Sequence, residues 1–405
     1  IGIVASDSTT PVSPSVTKIT NTGNITIGSA KIDGQYGIGL FAEGSTSTIN
    51  NSGNITITGN DTIGAYAGKS NKTNSHANIN LTGGKISITG NSSTGYYLSG
   101  GNNSTISSGA QIEVTGNESN GVFANSSTGV LNYEGATKVK GNAAYGIIAN
   151  DGAKINATGG SLIINGTSGI SGNSSASTYN GSTSPATGRG AAAVVVKGTG
   201  SQIVGDKLDV TADISGENSV GLYSEGTLSI NSANISAYDN AVNFYTDGGN
   251  ITVGANGGTS TVVTGTGNSR GALLFYTPSG SIKLNGNMTA TVQGSPDTEK
   301  RGTAFYYSGN GTLGNIGTYS TLNPTDVAGW ARARFGNGVT STLGKLTLNM
   351  DPDSRLFLTE KVNMNLSNTS VSNLFSGLGS TEKPTINGTN YRTFMLYHSH
   401  LNVDQ

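Results

Sequence analysis

Apolar residues in this chain recur at every second position over short runs. Thr48-Ile49-Asn50 is followed by Asn54-Ile55-Thr56-Ile57-Thr58, Ile79-Asn80-Leu81 by Lys85-Ile86-Ser87-Ile88-Thr89, and Ile155-Asn156-Ala157 by Ser161-Leu162-Ile163-Ile164. Alternation with period two predicts half-buried β-strands, and the Gly, Asn and Ser between the runs predict turns. A third short run follows a six-residue cassette, Gly59-Asn60-Asp61-Thr62-Ile63-Gly64, and reads Ala65-Tyr66-Ala67. Each unit therefore carries three strands.

The cassette and its apolar triplet return at Gly90 to Leu98, Gly116 to Ala124, Gly141 to Ala149 and Gly216 to Ser224, with a looser copy at Gly34 to Ala42. Cassettes begin at residues 34, 59, 90, 116 and 141, so they lie 25, 31, 26 and 25 residues apart. A three-stranded unit of this length is too short for a propeller blade and lacks the Leu framework of leucine-rich repeats. The pattern predicts an all-β fold, a right-handed parallel β-helix with three-stranded coils of about 25 residues. About 15 coils rising ~4.8 Å each give a rod roughly 70 Å long. Gly, Asn and Ser, clustered at fixed phase, are read as the residues that tolerate the left-handed backbone of tight corners, with Asn243 replacing Gly at one corner.

Two departures mark loops: Lys69 to His76 lengthens one coil, and Ser171 to Gly188 inserts a Ser/Asn/Thr/Pro-rich stretch. Regular coils are expected over 1–311, with the 171–188 insertion, and a less regular continuation over 312–405. Asp326 to Phe335 is compatible with one short helix around Trp330. The start, Ile1-Gly2-Ile3-Val4, is neither an initiator Met nor a signal peptide, and Leu396 to Val403 still reads as strand, so the chain is expected to be a piece of a longer protein.

Composition supports order without chemistry. The 62 Gly accompany only 11% charged residues, against roughly 25% in ordinary domains, and a net charge of -1. Without a basic excess, neither nucleic acid nor an anionic membrane surface is an expected partner. No apolar run reaches the ~20 residues of a membrane helix, so no membrane insertion by this segment is expected. The absence of cysteine excludes disulfides and thiolate metal sites and suits export of an extended chain.

The candidate binding residues are aromatic. The middle of the triplet is Phe41, Tyr66, Tyr97, Phe123, Tyr223 and Tyr245, interrupted by Ile148. If Leu40/Ala42 and Val122/Ala124 face inward, these rings form an outward ladder. Such a ladder either stacks on sugars and anchors a partner, or only holds neighbouring rungs together. Tyr179, in the insertion, is a further candidate because loops on rigid scaffolds carry specificity.

Other features read as scaffold. Asp297, Glu299, Lys300 and Arg301 read as a solvated corner ahead of Phe305-Tyr306-Tyr307. His398 and His400 alternate on a predicted strand, but no third metal ligand accompanies them. Asp351-Pro352-Asp353 lacks the glycine and glutamate of a calcium loop. Sequons such as Asn54-Ile55-Thr56 and Asn91-Ser92-Ser93 read as repeat chemistry. Acidic and basic residues scatter, with neither a paired-carboxylate site nor a serine-nucleophile signature. No catalytic residue, metal or cofactor is expected. A polysaccharide-degrading β-helix enzyme is the weaker alternative.

The segments 59–67 and 116–124, and the stretch from Asn390-Tyr391-Arg392-Thr393-Phe394 to Gln405, resemble passenger repeats of large type V autotransporters, most of all fusobacterial outer-membrane adhesins. The resemblance spans most of the chain. It implies a β-helical stalk displayed on the bacterial cell surface through an outer-membrane barrel that this chain does not contain. It also implies attachment to host cells or partner bacteria by binding surface glycans or receptor proteins. No ligand residue carries over, because the matching positions are scaffold glycines and strand residues. A monomeric passenger adhesin is the expected function; a non-binding structural stalk is the other reading.

Overall fold

The computed structural model describes residues 1–6, 17–28, 37–44, 46–68, 77–100, 103–125, 129–167, 190–216, 219–268, 271–295 and 302–306. Further on it describes short strands at 339–341, 346–350, 363–366, 369–372, 385–386, 389–390 and 400–403. Each alternating run forms a strand. Thr48–Asn51, Ile55–Ile57 and Thr62–Ala67 make one coil, and Asn78–Leu81, Lys85–Ile88 and Thr94–Ser99 make the next.

Each strand pairs with its equivalents one coil before and one coil after, and every pairing in the two large sheets is parallel. Ile55 sits against Ile86, and Ile86 against Ile112. The third strand of one coil and the first of the next share a 20-stranded sheet; the remaining strands build a 12-stranded one. The chain is therefore an all-β parallel β-helix with three strands to the coil, and among the described residues it contains no helix. Twelve rungs in the second sheet correspond to a rod of roughly 50 Å. That sheet continues through Leu346–Met350 to Thr369–Ser372, beyond the point where the cassette fades. The expected helix at 326–335 and the loop at 69–76 lie outside the described residues.

Alternation puts one file of side chains inside. Ile57, Ile88, Val114 and Val139 stack in register and are buried, as are Leu40, Ala65, Tyr96 and Val122 on the opposite wall. Each buried aliphatic side chain contributes roughly 1.5–3 kcal/mol. Two large polar rings lie within this core and are satisfied there. The Tyr96 hydroxyl donates to the Ile79 carbonyl at 2.7 Å, and that of Tyr133 to Thr137 Oγ1 at 2.8 Å.

The cassette resolves into separate tasks. Corner glycines do adopt left-handed backbone, as at Gly84 (φ 73°), Gly100 (93°) and Gly152 (77°). Within the cassette it also falls on the third position, Asp61, Ser92, Glu118 and Ala143, with φ of 51°, 52°, 55° and 50°. The second position caps the neighbouring coil: Asn91 N–H donates to Asn60 Oδ1 (2.8 Å), Asn117 N–H to Asn91 Oδ1 (2.9 Å), and Asn142 N–H to Asn117 Oδ1 (2.9 Å). The fourth position is small and fully buried. Thr62 N–H donates to Ser93 Oγ, and Ser93 N–H to Ser119 Oγ. Corner N–H groups that would otherwise lack partners are paired in this way.

The sixth position, Gly39, Gly64, Gly95, Gly121 and Gly146, lies in or beside a strand and serves close approach. A Cβ on Gly64 would sit 2.4 Å from the Gly95 carbonyl oxygen. Asn243 at this phase is likewise not a corner residue. It lies within the strand Val242–Val253, fully buried, donating from Nδ2 to the carbonyls of Ile235 (3.3 Å) and Val263 (3.1 Å) and accepting from Thr264 Oγ1 (2.9 Å).

Candidate binding surface

The aromatic file is real as a stack. Phe41, Tyr66, Tyr97 and Phe123 occupy one register position in successive coils, with ring centroids 5.3, 4.9 and 5.2 Å apart. Ile148 and Val195 take the next two coils. The stack then resumes as Tyr223, Tyr245 and Tyr276, with separations of 4.9 and 4.8 Å. These tilted and edge geometries match the ring quadrupole and add to area burial.

Its accessibility differs from an open outer ladder. Phe41, Tyr66, Phe123 and Tyr223 are half-buried, while Tyr97 and Tyr245 are each only 2% exposed. Tyr66, Tyr97 and Tyr245 are covered by the rings above and below them, and the residue two places further along the strand lies beside Tyr66 and Tyr223. A Cβ on Gly68 would sit 2.2 Å from Tyr66 Cε2, and the Tyr223 hydroxyl donates to Glu225 Oε1 at 2.5 Å. Tyr179 and the 171–188 insertion lie outside the described residues, as do the 297–301 charge cluster, Asp351 to Asp353 and His398. His400 pairs with Asn363 in a separate two-stranded sheet.

Burial leaves a titration signature on the stack. It pushes the Tyr66 phenol up to about 12, with the Tyr97 and Glu43 charges adding to the effect and a Ser99 hydrogen bond opposing it. Tyr97 is raised by burial, and Tyr223 is driven far up by burial and then by the Glu225 carboxylate. Tyr245 is raised by burial and then by Tyr276, Asp247 and Glu225. A raised folded value means the native state holds the proton longer. The stability this contributes is complete below the ordinary phenol value of about 10 and is lost as pH rises through the folded values. Urea midpoints should therefore be flat below pH ~10 and fall above it, with Tyr66→Phe and Tyr223→Phe reducing the slope. Equal slopes in wild type and variants would show that these phenols titrate as in the unfolded chain.

The asparagine richness is structural where it can be followed. Asn54 Oδ1 accepts from Lys85 N–H (3.0 Å), while Asn51 and Asn50 bond their counterparts Asn21 (2.7 Å) and Asn80 (3.0 Å). On the outer face of the second sheet Glu113 lies between Lys85 and Lys138, and its carboxyl is held below the usual range first by the Lys85 hydrogen bond. Among the described residues no three His, Asp or Glu side chains converge as a metal site would require, and no helix is long and apolar enough to cross a membrane.

One concavity was not legible in the sequence. It runs along the corner after the second sheet, around Lys140, Asn165 and Asp213. Its residues are contributed by four coils, and only the coil register brings them together. No protein-family profile, curated protein or solved structure matches this chain.

Proposed function

We propose that this chain is the cell-surface passenger of a type V autotransporter adhesin, which attaches its bacterium to host cells or partner bacteria through surface glycans or receptor proteins. The observation that carries the reading is the unbroken coil register, twelve rungs long in the second sheet. A rod of this kind presents equivalent outward side chains at every coil rise of ~4.8 Å, a surface suited to repeated weak contacts rather than to chemistry. Avidity then does what one contact cannot: many tethered copies raise the effective concentration of the next binding event.

The test is adhesion of beads coated with the purified chain to host epithelial cells and to partner bacteria, against beads bearing an unrelated β-helix at equal density. Adhesion that rises steeply with coating density and is competed by excess soluble chain is the expected result. Beads that adhere no better than the control would remove the adhesin reading. A non-binding spacer is the second reading, favoured by the near-complete burial of Tyr97 and Tyr245 within the aromatic stack.

A further inference from the structure

The corner concavity has a volume of about 600 Å³ and is lined entirely by polar side chains and glycine backbone. One wall is the outward file of the second sheet. Thr115 stands one step beyond the Val114/Val139 pair and so opposite Lys140, which pairs with Asn165, which pairs with Asp213. All four side chains are exposed. The other wall lies two residues on: Asn117, Asn142, Thr167 and Ser215, with Thr167 in register with Ser215. Gly141 and Gly166 separate the walls without side chains, which is what makes the surface concave there.

The lining specifies a ligand chemistry. Its two charges, Lys140 and Asp213, are opposite and lie two coils apart, so the groove is neutral overall and neither anion nor cation is selected. Asn117 Oδ1 is committed to the Asn142 N–H and Asn142 Oδ1 to the Thr167 hydroxyl. What these amides offer a ligand is therefore N–H, complemented by the acceptors of Asn165 and Asp213. The groove runs along the rod, and coils rise by ~4.8 Å, close to the advance of one pyranose ring in an extended chain. Tyr238, half-buried, is in register with Ser215 one coil beyond the groove. Only one carboxylate lines the groove, whereas glycoside hydrolysis uses a pair, so this geometry serves holding rather than cutting.

The geometry points to a binding groove for a neutral, linear oligosaccharide, laid along the rod over Thr115, Lys140, Asn165 and Asp213 at one sugar per coil. This assignment rests on the adhesin reading and gives it a site and a ligand class.

The experiment titrates the intact chain calorimetrically with cello-, malto-, chito- and β-1,3-gluco-hexaose, with oligogalacturonate and a heparin-derived hexamer as acidic probes. It then repeats the titration with Asn165→Trp, which fills the groove from an exposed position, with the pair Lys140→Ala/Asp213→Ala, and with Thr56→Trp, an exposed site on the same face distant from the groove. Expected is saturable binding of at least one neutral hexaose, weakened about tenfold or more by the groove variants and unchanged in Thr56→Trp, with circular dichroism identical throughout. Absence of binding by every neutral hexaose, preference for the acidic probes, or equal binding by Asn165→Trp would overturn the assignment. The bead assay run on the same variants separates the two readings. Asn165→Trp that binds hexaose like wild type refutes the groove while the adhesin stands; wild-type beads that do not adhere refute the adhesin reading, with the groove decided by the titration.

Discussion

Gly64→Ala should lower the thermal midpoint of this protein, corresponding to a loss of about 1–3 kcal/mol, the range for forcing extra atoms into a packed interior. The added Cβ would lie 2.4 Å from the Gly95 carbonyl oxygen and 2.5 Å from Ile86 Cγ2, closer than such atoms approach. Neither neighbour can swing aside, because one is backbone of the next coil and the other a buried, branched side chain. The same column continues with Gly39, Gly95 and Gly121, whose added Cβ atoms would lie 2.4 to 2.6 Å from the next coil's carbonyl oxygen. Relief at one rung would therefore have to be passed to others. Gly28→Ala is the matched control: nothing lies within 4 Å of its Cβ position, so its effect should stay within about 0.5 kcal/mol. Equal midpoints for the two variants would show that the coils separate freely at this column and that the cassette glycine is not set by contact.

The same column shows why the fold was readable in the sequence while the reason for its glycines was not. Period-two alternation and a recurring cassette are local signals, and they placed the strands Thr48–Asn51, Ile55–Ile57 and Thr62–Ala67 directly. The task of a glycine is a property of the neighbouring coil, 25 or 31 residues away, and cassette spacing does not reveal which backbone atom it meets. The corner reading held at glycines such as Gly84 and Gly152 and at Ser92, but it did not reveal that Asp61, Glu118 and Ala143 take the same conformation at the third cassette position. Ala143 does so without a polar side chain to compensate, in a region where an L-residue costs roughly 1–2 kcal/mol. Here the coil above and below dictates the backbone.

A similar limit applies to the candidate sites. Alternation placed Phe41, Tyr66, Tyr97 and Phe123 on the opposite face from Leu40 and Ala42, and they do share one file. How much of each ring meets solvent was not in the pattern, because it depends on the rings above and below and on Gly68, Ser99 and Asn125 two positions further on. The groove was less legible still. Thr115, Lys140, Asn165 and Asp213 are unremarkable singly, and an insertion separates the last two along the chain. Their alignment exists only once the register of four coils is known.

Tyr97→Ala should be among the most damaging single changes, costing about 3–5 kcal/mol as for other buried aromatic truncations. The ring is 2% exposed and touches Tyr66 and Phe123, so both ring contacts vanish and a cavity opens between coils. Tyr97→Ile should cost much less. Ile148 and Val195 occupy this same file at only 8% exposure, so the coil geometry accepts a branched aliphatic residue there. The pair of variants separates scaffold from recognition. If the stack only holds rungs together, Tyr97→Ile keeps a high thermal midpoint and its beads adhere like wild type, while Tyr97→Ala loses both in proportion to unfolding. If the stack is itself a binding platform, Tyr97→Ile remains folded and loses adhesion, because an aliphatic side chain offers no π face to a sugar or a partner. The burial of Tyr97 and Tyr245 leads us to expect the first outcome, with adhesion governed by the polar groove across the coil.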